Sequence, residues 1–269
     1  MTRRNQKQVK VPATVDLIQE ALRLARSARS ADLELRLLGS TAVAARCEAA
    51  RDLLRRHHAT PKDIDLAGLG HQRRRVRDFL YGQGLRPPDN GLMTPYMDRD
   101  LFLTRRSAQL IRVEVFFDEL RFVHRIAFGD DFARSFPTLP IETLIMSKLQ
   151  MRLRALSDWL HLAALLIQCA TELRNGKEFN ATRITKLTAC DYRCWRDFRS
   201  ALEHLSAGEI LKDLGLTPEE SLSMNEGIGH VASAVGAARH GARWWLGRVK
   251  AFFRMEPPEP EIAEYWEAG

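Results

Sequence analysis

The chain has 269 residues, 45% of them apolar and 28% charged, with a formal net charge of +7 and a pI near 9.5. It is long enough to bury a core without disulfides or a structural metal. Its longest strongly apolar stretch, Leu160 to Cys169, falls short of the ~20 residues a membrane span needs, and the basic opening MTRRNQKQVK is not followed by the apolar core of a secretion signal. These features point to a soluble, cytoplasmic protein without a membrane partner, and the charge favours an anionic partner such as RNA, DNA or nucleotide.

In chain order, residues 1–12 read as a basic disordered arm. The spacing of Val15, Ile18, Ala21, Leu22 and Ala25 predicts a helix over 15–28. Leu33 to Leu38 reads as a strand running into Gly39-Ser40-Thr41, and a helix is expected from Ala42 to His57. Strand character returns at Ile64 to Leu69. A third helix covers Gln72 to Gln83 and stops at Gly84, ahead of Pro87 and Pro88. Segments at 100–104, 110–117 and 122–128, rich in Val, Ile and Phe and separated by polar turns, complete a sheet of about five strands.

After Pro140 the chain reads as helical, over 141–154, 157–173, 181–187, 191–205, 218–237 and 240–254, with Asn180 and Thr217 as expected caps. The Pro-containing tail EPPEPEIAEYWEAG is acidic. The expected organisation is a basic arm at 1–12, an α/β domain at 13–138, a helical domain at 139–255 and an acidic tail at 256–269. The four cysteines, Cys47, Cys169, Cys190 and Cys194, form no CxxC pair. Cys190 and Cys194 lie a helical turn apart but lack a second ligand pair, so they read as half-buried thiols.

Three segments carry chemistry: LLGSTAVAA at 37–45, KDIDLAGL at 62–69 and IRVEVFFDEL at 111–120. A strand entering Gly39-Ser40 at the start of a helix aims backbone N–H groups at an anion. Gly39 permits close approach, and the Ser40 hydroxyl adds a donor. Asp63 and Asp65 lie two apart and share one side of a strand, giving hard oxygen ligands suited to Mg²⁺ or Mn²⁺. Glu114 lies mid-strand between Val113 and Val115, where a carboxylate must be paired or metal-bound.

This pattern resembles the DNA polymerase β-like nucleotidyltransferase superfamily: a Gly-Ser pair opening a helix, a downstream Asp-x-Asp strand and a third acid on a later strand. It looks most similar to minimal bacterial members related to AbiEii-type toxins. The resemblance covers residues 33 to 168. It implies an α+β fold, with an N-terminal nucleotidyltransferase-like small mixed sheet and flanking helices, followed by a C-terminal helical domain. It also implies that Asp63, Asp65 and Glu114 are the catalytic and metal-binding acids, holding two ions roughly 3.5–4 Å apart. Gly39, Ser40, Thr41 and Lys148 would bind the nucleoside triphosphate, and Asp158 matches a family acidic position. Glu114 stands where Asp is commoner, and Asp118 in the FFDEL turn is the second candidate for the third acid.

The activity so implied is transfer of a nucleoside monophosphate from an NTP to a hydroxyl with release of pyrophosphate. An RNA end is the favoured acceptor, with a role as the toxin of a toxin–antitoxin pair and an antitoxin protein as partner. The alternatives are a non-catalytic nucleotide- or RNA-binding module on the same fold and a small-molecule, antibiotic-type nucleotidyltransferase. Each piece also has a structural reading: Gly39-Ser40 as a plain strand-to-helix turn, the Asp pair as a solvated edge, Glu114 as the partner of Arg112 or another arginine, and Arg73 to Arg75 as an exposed helix face.

Overall fold

The computed structural model describes residues 16–88, 99–106, 109–151, 154–207 and 209–253. The basic arm at 1–12 and the acidic tail at 256–269 lie outside these residues. The chain divides into two compact units. Among the described residues, one comprises those from 16 to 121 together with 125–144, and the other comprises 122–124 and those from 145 to 253.

The first unit is built on a mixed sheet. Helix α1 (Leu17–Ser30) starts at Asp16, whose carboxylate accepts from the N–H groups of Ile18 and Gln19, satisfying donors that have no partner inside the helix. Its buried face is Leu17, Ala21, Leu24, Ala25 and Ala28. That stripe is rotated from the expected one, and Ile18 and Leu22 are only partly covered. Strand β1 (Leu35–Leu38) leads directly into α2 (Gly39–Arg46). The single helix expected to reach His57 is interrupted after Arg46 by a 3₁₀ turn at Glu48–Ala50 and resumes as α3 (Arg51–Arg56). The break lets Cys47, Ala50 and Leu53 all reach the core.

Strand β2 (Ile64–Gly68) is followed by α4 (Arg73–Gly82), then by β3 (Arg99–Arg106) and β4 (Gln109–Phe117). The sheet order is β1-β2-β4-β3, with β2 and β4 parallel and the other two pairs antiparallel. The strand expected over 122–128 is instead a hairpin of β5 (Glu119–Arg121) and β6 (Arg125–Ala127), which form a separate two-stranded ribbon. Asp118, at φ +62°, turns the chain out of β4 ahead of β5, and the bend at 122–124 breaks the segment expected as one strand. A short helix, α5 (Asp131–Arg134), follows.

Each outer strand is met at one point by a neighbouring segment, which blunts the open edge there. Leu37 on β1 exchanges backbone hydrogen bonds with Pro137 and Leu139, and Leu103 on β3 exchanges two with Arg86. Arg36 is 3% exposed and donates to the carbonyls of Ser135 and Phe132, which ties that covering segment down.

Strand alternation sorts the sheet into two faces. One carries Leu35, Leu37, Ile64, Leu66, Val113, Val115 and Phe102, all buried. Asp100 lies on this face too, where it binds Arg73 and Arg77 of α4 in a pair of charge-assisted contacts. Burial opposes its charge, but the two guanidiniums prevail and hold the Asp100 carboxyl below the usual range. Arg73 is therefore a structural partner, while Arg74 and Arg75 are exposed as expected. The opposite face carries Asp65 and Glu114.

The chain passes into the second unit within α6 (Ile141–Leu149). This unit is helical: α7 (Leu156–Arg174), α8 (Ala181–Cys190), α9 (Tyr192–Ser206), α10 (Glu209–Leu214), α11 (Pro218–Gly236) and α12 (Ala242–Phe253). Helix α7 is its centre, with every residue from Leu162 to Ala170 buried. Helix α11 crosses it so closely that a Cβ on Gly227 would lie 2.2 Å from the Leu166 carbonyl oxygen. Thr217 caps α11 in a reciprocal box with Glu220, as its sequence suggests. Asn180 precedes α8 but makes no side-chain capping bond. Trp244 is buried against Tyr192, Trp195 and His240, and Trp245 is half exposed.

Candidate functional site

The turn from β1 into α2 is where the site begins. Gly39 has φ +62°, in the left-handed region that side chains with a Cβ avoid. The residue before the helix is Leu38, which has no side chain able to cap it, and no side-chain capping bond is made. The first turn of α2 therefore has no cap from Leu38, and the Ser40 hydroxyl lies there too. Such a terminus carries partial positive charge. Thr41 is placed differently: it is fully buried, and its hydroxyl donates to the Leu38 carbonyl at 3.1 Å, so its side chain fixes the turn.

Asp65 stands directly across from this turn. Its register partner on β1 is Leu38, and a Cβ on Gly39 would lie 1.9 Å from Asp65 Oδ2. Glycine at 39 thus serves both the positive φ and the room for the carboxylate. Asp63 comes just ahead of β2, two residues from Asp65, and both side chains are partly exposed.

On the other side of β2, Asp65 is in register with Glu114 of β4. Glu114 is 5% exposed and does not stand alone. Arg99 Nη1 donates to its Oε2 at 3.0 Å, and Arg112 Nη2 donates to its Oε1. The three residues share one face: Arg112 precedes Glu114 by two on β4, and Arg99 is paired with Phe116, two beyond it.

No family profile and no curated protein matches the chain. Among solved structures it is similar to the antibiotic-resistance factor ANT(2'')-Ia, with 18% identity and a TM-score of 0.35, covering 72% of this chain and 100% of that one. It is also similar to an antigenic nucleotidyltransferase-like protein from Paracoccidioides brasiliensis, with 13% identity and a TM-score of 0.38, covering 84% and 95%. Likeness at these scores is too loose to carry a functional conclusion, which rests on the residues themselves.

The donor set fits a divalent cation in part. Asp63 and Asp65 supply hard oxygen ligands beside the helix terminus. Glu114 already has two guanidiniums, and among the described residues no three His, Cys, Asp or Glu side chains gather closely enough to hold a metal ion.

Lys148 and Asp158 belong to the second unit, where they pair at 2.8 Å with both side chains largely covered. Near them, burial and then the Lys148 charge push the His161 imidazole down to about 4, against a smaller opposing pull from Asp158. Asp118 is occupied by the backbone. Its Oδ1 accepts from the Gly70 N–H at 2.7 Å, which holds the turn between β2 and α4.

Arg99 is the site residue that sequence pattern alone does not reveal. The apolar segment starts at Asp100, one residue after it. Alternation back through Leu103 and Leu101 is the signal that places Arg99 on the face of Glu114.

Proposed function

We propose that the chain is a metal-dependent nucleotidyltransferase that moves a nucleoside monophosphate from an NTP to a hydroxyl on an RNA end and releases pyrophosphate. The observation that supports this best is the Asp65 carboxylate seated against Gly39, at the N-terminus of α2, with Asp63 beside it. Anion-binding N–H groups and acidic metal ligands meet there at one turn, which is what a bound metal–triphosphate requires.

In this reading the N–H groups of Ser40 and Thr41 and the Ser40 hydroxyl bind phosphate oxygens. Asp63 and Asp65 would hold Mg²⁺ or Mn²⁺, which supplies charge neutralisation to the triphosphate when bound. The chain's own contribution is placement. The parallel β2–β4 pair fixes the acids, and the rigid β1–α2 turn fixes the phosphates, so most of the catalytic gain is positional. The net charge of +7 favours a polyanionic acceptor. With RNA as acceptor, the setting implied by the sequence resemblance is the toxin half of a toxin–antitoxin pair.

A second reading, a nucleotide- or RNA-binding module without turnover, draws on the two guanidiniums that occupy Glu114. Incubating the protein with each α-³²P-labelled NTP, Mg²⁺ or Mn²⁺ and total bacterial RNA, beside Asp63→Ala/Asp65→Ala, separates the two. Label on RNA that depends on the Asp pair supports transfer. NTP binding that depends on the Asp pair, without label on RNA, favours the binding module, and aminoglycosides supplied as acceptors then test the small-molecule alternative.

A further inference from the structure

The face carrying Asp65 has a second charged element, on strands β3 and β4. Resting on the nucleotide site proposed above, we infer that Arg99 and Arg112 form a cationic clamp for the triphosphate, and that Glu114 is the positioning residue that holds both guanidiniums beside Asp65.

Strand register brings these groups together. Asp65 and Glu114 are direct partners on parallel strands, and Ile64 pairs with Val113, which brings Arg112 level with Asp63. Strands lie about 4.8 Å apart, so both guanidiniums are anchored one or two strands from the Asp pair. Each is fixed by one oxygen of a single, 5% exposed carboxylate: Arg99 on Oε2 and Arg112 on Oε1.

Neither guanidinium is fully used by Glu114. The Arg112 side chain is 40% exposed and that of Arg99 22%, so both reach solvent while their shared anchor does not. The Arg112 Nε–H is buried, so the exposed surface of that side chain lies elsewhere on it. A phosphate oxygen is the acceptor chemistry that a guanidinium fork matches best.

One carboxylate between two arginines also accounts for a glutamate at this position. Its longer side chain reaches a guanidinium two residues back on its own strand and another across the β3–β4 ladder.

The test is titration of non-hydrolysable NTP by calorimetry, with Mg²⁺ and in EDTA, and titration of Mn²⁺ alone by electron paramagnetic resonance. The proteins are the parent, Arg99→Gln, Arg112→Gln, Glu114→Gln and Asp63→Ala/Asp65→Ala. Each arginine variant is expected to weaken NTP binding about tenfold or more, in EDTA as well as in Mg²⁺. Glu114→Gln keeps an oxygen for one guanidinium, and is expected to hold Mn²⁺ binding within about threefold of the parent, since it is not a metal ligand. Arg99→Lys and Arg112→Lys keep the charge without the fork. They should fall between parent and Gln variants, which guards against a Gln variant that fails to fold.

Parent-like NTP binding by the arginine variants, with loss in Asp63→Ala/Asp65→Ala, overturns the clamp and leaves the nucleotide site standing. Loss of Mn²⁺ binding in Glu114→Gln overturns the positioning role by making Glu114 a metal ligand. A parent that binds no NTP removes the nucleotide reading and the clamp together.

Discussion

Asp65 on β2 and Glu114 on β4 are register partners across a parallel pair, so their carboxylates rise from neighbouring strands on one face. Two acids this close repel each other. The fold meets that cost differently on each side: Asp65 faces the positive end of α2, and Glu114 faces Arg99 and Arg112.

Gly39→Ala combines a strained positive φ with a Cβ placed on the Asp65 carboxylate. It should cost about 1–3 kcal/mol of stability and weaken NTP binding at least about tenfold. In an Asp65→Ala background the clash with the carboxylate disappears and only a 3.1 Å Cβ contact remains, so the added destabilisation from Gly39→Ala shrinks towards the backbone strain. Thermal melts of the four proteins in this cycle measure it. Equal effects of Gly39→Ala in both backgrounds would show that the contact with Asp65 does not matter.

Asp118 separates a structural acid from the candidate site. Asp118→Ala removes the acceptor for the Gly70 N–H and keeps an unfavourable φ, so a loss of about 1–3 kcal/mol is expected. NTP affinity measured below the melting temperature should stay within about threefold of the parent. A large affinity loss in a protein that still melts cooperatively would make Asp118 a site acid after all.

In the second unit, His124 gives a pH dependence with a definite sign. Its Nε2 lies 2.8 Å from Asp197 and its Nδ1 3.7 Å from Asp191. Burial works against the imidazolium, but the two carboxylates outweigh it and hold the His124 pKa above its ordinary value. The stabilisation is fully present below the unfolded value of about 6.5 and is lost as pH rises through the folded pKa. Melting temperature should therefore fall on the alkaline side of pH 6.5, and Asp197→Asn should flatten that fall. An unchanged slope in the variant would place the titration elsewhere.

Lys148 and Asp158 are coupled, so each single variant strands a largely covered charge. Lys148→Met and Asp158→Asn should each cost about 1–3 kcal/mol, and the double variant less than their sum. Lys148→Met should also let the His161 pKa rise from about 4, a shift readable by NMR titration. Additive losses would mean that the pair contributes nothing as a pair.

Much of this is legible in the sequence because period and chemistry agree. The strand into Gly39-Ser40, the strand of Asp65 and the long helices after Pro140 follow apolar spacing, and Thr217 reads as a helix cap. Pattern fails where a local backbone choice overrides it. The bend at 122–124 leaves the segment expected as one strand as half of a hairpin, and the 3₁₀ turn at Glu48–Ala50 splits one helix in two. The short helices α5 and α10 escape notice because too few residues define a period. The guanidinium pair on Glu114 is half visible: Arg112 lies two residues away on the same strand, whereas Arg99 comes from another strand, and its place depends on a register that no local spacing encodes.

The contact between Gly227 and Leu166 has a consequence for variation. Where α11 crosses α7, any larger residue at 227 must push the two longest helices apart, because the obstacle is a backbone carbonyl and not a side chain that can swing away. In a saturation library scored only for soluble expression, with no demand for activity, position 227 should therefore be depleted of every substitution. Gly229, two residues along the same helix with open space around it, should tolerate most of them.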